Sequence, residues 1–115
     1  MRTKERLAAA IRAGSRLHPQ AFGALFRRDG AGRITHSCAN GAAVVAALAQ
    51  GVAPALALGE CFPLLARPVR GRLPCGCPAG KRTGRTVAAA IDHLNDDHRW
   101  RRETIASWVT SLERK

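Results

Sequence analysis

The sequence predicts an α+β fold: a small, mainly helical domain with a short N-terminal β-hairpin and a C-terminal helical hairpin beside a cysteine knuckle. Three observations carry this. Apolar residues recur at helical spacing near both ends of the chain. Two β-prone runs flank Asp29-Gly30-Ala31-Gly32, a hairpin turn signal. A Pro/Gly-rich basic stretch with two closely spaced cysteines, Cys75 and Cys77, separates the Ala-rich middle from the C-terminal periodicity. At 115 residues the chain has the length of a single domain, 1–115, with a core of modest size.

Residues 3–14 read as the first helix, because Leu7, Ala10 and Ile11 share a face and Gly14 ends it. Pro19 then takes the chain out of helical geometry. Residues 20–28 and 33–38 are the expected strands of the hairpin. An Ala-rich helix starts near Asn40 and runs to Gln50, with Gly51 as its stop, so that 1–58 hold helix, hairpin and Ala-rich helix. Residues 59–84 form the basic knuckle loop; the stretch 51–84 holds five of the six prolines and six glycines. Such a loop needs something to order it inside a compact domain, and a bound metal would do so. Residues 85–115 complete the domain as the helical hairpin. Its first helix, about 85–97, places Val87, Ile91 and Leu94 at i, i+4, i+7. Its second, about 101–113, places Ile105, Trp108, Val109 and Leu112 at i, i+3, i+4, i+7. With 22 alanines and five aromatics, the core is expected to rest on Phe22, Leu25, Phe26, Ile91, Leu94, Trp100, Ile105, Trp108 and Leu112.

The net charge is +11, from 19 basic and 8 acidic residues, and 16 of the basic residues are arginine. A GC-rich genome accounts for arginine over lysine but not for the excess of basic over acidic residues. That excess favours an anionic partner, most often nucleic acid (DNA or RNA), held by phosphate neutralisation and counterion release. The competing reading is generic surface charge that keeps the chain soluble. Residues 37–59 carry no charge over 23 positions, a length able to span a bilayer. Asn40, Gln50 and Pro54 interrupt the run and alanine contributes little to insertion, so the expectation is a buried helix and loop, and no membrane. The N-terminus has no apolar signal segment. Four cysteines in that setting indicate reduced thiols or metal ligands and a cytoplasmic location.

The strongest chemical signal runs from Cys75 to His98. Zinc takes four soft or borderline ligands in a tetrahedron, usually as two close pairs. Cys75 and Cys77 form one pair on the knuckle, and His93 and His98 form the other at the end of a helix, fifteen residues further on. That separation is near the arrangement of zinc-finger modules. Two features work against it. Residues at i and i+5 on a regular helix lie about 140° apart, so both histidines reach one ion only if the helix ends near Asn95. C-x-C also has a shorter bite than C-x-x-C, and Cys61 is an alternate ligand. The competing reading makes Cys75 and Cys77 incidental loop thiols and the two histidines surface or capping side chains. If Zn2+ binds, four protein ligands leave no position for water, and the site is structural rather than catalytic. Asp92, Asp96 and Asp97 either orient the histidines or form a solvated helix face.

The run Ile91–Val109, IDHLNDDHRWRRETIASWV, resembles a signature of small uncharacterised proteins of tailed phages and prophages, approximately I-x-H-L-N-D-x-H-x-W-[ST]-R-E-x-I-A-x-W-[LV]. Those proteins are also similar in an upstream S-C-A-x-G-A-A element, matched by residues 37–43, and in a Cys-Pro-x-Cys-like knuckle. Here Arg101 stands where Ser or Thr would cap the last helix, and CGCP replaces the usual knuckle spacing. The resemblance implies a phage or prophage origin and a shared fold, and no activity.

Other constellations are weaker. Cys38, at the start of the second helix and near His36, reads either as a nucleophile activated by the helix dipole or as a small buried residue. GKRTGRT at 80–86 lacks the spacing of a phosphate loop and reads as a basic loop. His18 is expected in a loop, and Trp100 and Trp108 in the hairpin core. No complete catalytic set is present, so the chain is expected not to be an enzyme. The leading expectation is a zinc-stabilised nucleic-acid-binding protein in which Arg67, Arg70, Arg72, Lys81, Arg82 and Arg85 contact phosphates. Arg99, Arg101 and Arg102 extend that patch, and the last helix presents Arg102, Ser107 and Thr110 as in a helix-turn-helix. The alternative is a phage-encoded inhibitor that binds a host or defence protein.

Overall fold

A computed structural model of the chain describes residues 3–51, 61–80 and 82–112. Among these residues, four α-helices and one antiparallel pair of strands make a small α+β fold. In chain order they are α1 (Thr3–Ser15), β1 (Phe26–Arg28), β2 (Ile34–Ser37), α2 (Ala39–Ala49), a 3-10 turn (Pro63–Ala66), α3 (Val87–Asp96) and α4 (Arg102–Ser111).

The hairpin turns where Asp29 predicts it. The Asp29 carboxylate accepts from the amides of Ala31 and Arg33, and Gly32 adopts a left-handed backbone at φ 82°. The strands are shorter than expected, because the ladder shifts register between Arg27 and Arg28 and Gly23 bends the chain ahead of Leu25. Residues 19–21 lie along β2 instead, through Ser37 N to Pro19 O and Ala21 N to Ser37 O.

Helix α2 is apolar on nearly every face, and most of it is buried. The Cys38 thiol caps it by accepting from Gly41 N at 3.3 Å. Alanine's small side chain lets neighbouring backbones approach. Gly14 of α1 sits so close to α2 that a Cβ there would fall on the Ala42 carbonyl. Around this centre Leu7 and Ile11, Phe62, Leu64 and Leu65, Val87, Ile91 and Leu94, and Ile105 and Val109 fill one core. Burying each such side chain contributes about 1.5–3 kcal/mol. The aromatic expectation is corrected here: Leu25 is exposed and Phe22 and Phe26 are only half-buried. Trp100, Trp108 and Leu112 pack at the core's margin. Interior space next to an alanine helix suits aliphatic chains, which α1 and residues 62–65 supply.

The segment 67–87 is more regular than its composition suggests. Val69 N donates to Arg85 O, Val87 N to Arg67 O, Ala79 N to Gly71 O and Leu73 N to Cys77 O, at 2.7–2.9 Å. These bonds lay the chain back on itself as an irregular antiparallel ribbon, and buried Leu73 anchors its tip. Residues 52–59 of the uncharged stretch 37–59 lie outside the described residues. No described helix is long and apolar enough to cross a membrane.

Candidate metal centre

The ribbon and α3 bring the two pairs together. At the ribbon's tip Gly76 takes φ 92°, a left-handed turn that needs glycine, and Arg72 Nη1 donates to Gly76 O at 2.8 Å. The turn sets Cys75 and Cys77 on the same side of the tip as α3. Thr86 caps α3 by accepting from Ala89 N, and the helix ends at Asp96. Beyond it His98 N reaches back to His93 O and Trp100 N to Leu94 O, with Arg99 left-handed at φ 52°. This unwinding removes the angular obstacle of an i, i+5 pair: the rings of His93 and His98 meet edge-to-face with centroids 4.7 Å apart.

One donor atom from each of Cys75, Cys77, His93 and His98 lies within 4.8 Å of every other. Tetrahedral zinc with Zn–S about 2.3 Å and Zn–N about 2.05 Å requires donors roughly 3.3–3.8 Å apart. Cys77 Sγ and His98 Nε2 are 3.5 Å apart. His93 supplies the decisive observation. Its Nδ1 bonds Asp97 Oδ2 at 2.7 Å, while its buried Nε2 has no hydrogen-bond partner. A buried polar atom without a partner is costly, and a carboxylate on Nδ1 assigns the proton there and leaves the Nε2 lone pair free. The residues present therefore fit a metal ion. The Cys77 thiol is pushed above its ordinary value, chiefly by its hydrogen bond to Cys75 and then by desolvation.

Of the three aspartates, only Asp97 orients a candidate ligand. Asp92 accepts from Asn40 Nδ2, and Asp96 accepts from Gly23 N and Asn95 Nδ2. Cys61 is half-buried against the apolar core and stands outside the four-residue group. Cys38 is buried, and burial pushes its thiol up, more strongly than the Gly41 amide pulls it down. It is a helix cap rather than an activated nucleophile.

The expected phosphate contacts divide. Arg70, Arg72, Arg82, Arg85, Arg99 and Arg101 are exposed, Arg67 is half-buried, and Lys81 lies outside the described residues. Arg102 is a correction. It is buried, and its guanidinium donates to Ser37 O, Ser37 Oγ, Ser15 O and His18 O at 2.7–3.2 Å. Every acceptor is protein, so it ties α4 to the ends of α1 and β2 and offers nothing to a ligand. Ser107 is engaged as well: it accepts from Arg12, which also pairs with Glu103 at 2.7 Å. Helix α4 packs one face on α1, while Ser107 stays exposed and Thr110 half-buried.

Sequence reasoning passed over Asn95, which is fully buried in the signature run. Its amide accepts from Gln20 Nε2 and Ala39 N and donates to Ala21 O and Asp96, locking α3 against α2 and the 19–21 segment. A polar residue flanked by the core position Leu94 was the available signal. Compared with protein-family models, curated proteins and solved structures, the chain matches none.

Proposed function

We propose that this chain is a small zinc-stabilised accessory protein of phage or prophage origin that acts in the host cytoplasm by binding nucleic acid. The observation that carries the metal part is the convergence of four donors around an unpartnered, buried His93 Nε2. Thiolate and imidazole together favour Zn2+ over hard cations, and four protein donors suit a structural ion. The phage part rests on the signature resemblance. Its residues have distinct places in this fold: Ile91 and Leu94 in the core, His93 and His98 in the donor group, Asn95 in the buried amide lock.

The nucleic-acid part rests on charge. The ribbon and the connector between α3 and α4 carry exposed arginines at 70, 72, 82, 85, 99 and 101, and the residues from 61 to 91 include no acid. Among the described residues none of these arginines is in an ion pair. Phosphates would neutralise this surface, with release of counterions. The metal's role would be to fix the ribbon tip against α3, and so the spacing of the charges. A salt titration of binding to a labelled oligonucleotide tests the reading. Affinity should fall steeply from low to moderate salt, and each arginine-to-alanine change in the patch should reduce the log–log slope by about one. A flat salt dependence would remove the phosphate account.

A further inference from the structure

Arg99 is the one non-glycine residue among those described with a left-handed backbone. Glycine or asparagine ordinarily takes such a place at a helix end, because a Cβ there crowds the following carbonyl. The arginine retained here lays its guanidinium on Phe22, with Cζ 4.5 Å from the ring centroid. The residue is exposed and has no carboxylate partner among the described residues, although its neighbours in sequence include Asp96 and Asp97. It follows His98, a donor of the metal group, and exposed Arg101 stands two residues on. The connector thus places a planar cation over a ring, with exposed Arg101 two residues on suited to a phosphate backbone.

We propose that Arg99, backed by Phe22, is a stacking platform for an unpaired base, and that the nucleic acid bound is single-stranded. The proposal rests on the nucleic-acid reading above and specifies its substrate. In a duplex both faces of each base are already stacked, so a guanidinium plane has nothing to receive; an unpaired base offers its π-face to any such platform, whatever its identity. The Phe22 ring limits the rotamers Arg99 samples, so less side-chain entropy is lost when a base arrives. Lysine would supply the charge without the plane.

Fluorescence anisotropy with the zinc-loaded full chain tests this, using a short fluorescein-labelled single strand of mixed sequence and the duplex of the same length. The single strand should bind more tightly. Arg99→Gly suits the left-handed backbone and so keeps the fold, as thermal melting would verify; it should weaken single-strand binding about tenfold and duplex binding by much less, through the loss of one charge alone. Arg99→Lys should show a similar loss with an unaltered salt slope, because the charge is kept. Equal binding of the two probes, or single-strand affinity that Arg99→Gly leaves intact, would overturn the platform while sparing the phosphate account. Binding of neither probe would overturn both.

Discussion

His93 is held to its task from two directions. Its backbone lies in the last turn of α3, and Asp97, four residues on, takes its Nδ1. The remaining nitrogen is buried and has no hydrogen-bond partner. Removing the carboxylate's charge while keeping its shape should therefore affect the metal more than the fold. Asp97→Asn is expected to weaken zinc affinity about 10- to 100-fold in a competitive chelator titration, with a far-UV spectrum like that of the parent. Asp92→Asn, which touches Asn40 and no ligand, is the matched control and should leave affinity unchanged. The donor types and the approximate separation of the pairs are legible in the sequence. Which aspartate serves the histidine is not, because Asp92, Asp96 and Asp97 differ only in where a helix ending at Asp96 directs them.

Helix α4 illustrates what periodicity conveys and what it omits. The i, i+3, i+4, i+7 pattern correctly places Ile105 and Val109 in the core. It says nothing of which element packs on the helix, and α1 does so. Residue type places Arg102 at the surface, since an unpaired arginine is rarely buried; four acceptors on Ser15, His18 and Ser37 make this one an exception. Arg102→Ala would take this donor from Ser15 O, His18 O and Ser37 Oγ, while Ser37 O keeps Ala21 N, and should destabilise the protein by about 2–4 kcal/mol in urea denaturation. Arg102→Lys should recover little of that, because an ammonium cannot reproduce the planar fork. The ribbon at 67–87 escaped the sequence for a related reason. Its pairing rests on scattered backbone bonds and on one buried side chain, Leu73, which no period-two alternation announces.

At the scale of the molecule, the aliphatic core and the metal group are separate supports. The core joins α1, α2, α3 and α4, whereas the metal group joins only the ribbon tip to the end of α3. Chelation should therefore lower the melting temperature and loosen the knuckle while leaving most helical signal in place. Acid should act in the same way. The metal-bound ligands carry fewer protons than the free or unfolded ones, so stability contributed by the metal is present at neutral and alkaline pH and is lost as pH falls. The raised Cys77 thiol adds to this proton competition. Calorimetry across pH, with and without chelator, should show two curves that converge on the acid side. The central claim is that Cys75, Cys77, His93 and His98 hold one ion. Its most direct test is elemental analysis of the purified full chain beside Cys77→Ser, His93→Ala and Cys61→Ser variants. Roughly equimolar zinc is expected in the parent and in Cys61→Ser, with zinc lost from the other two; a parent chain without zinc, or zinc that survives both Cys77→Ser and His93→Ala, would rule the four-donor site out.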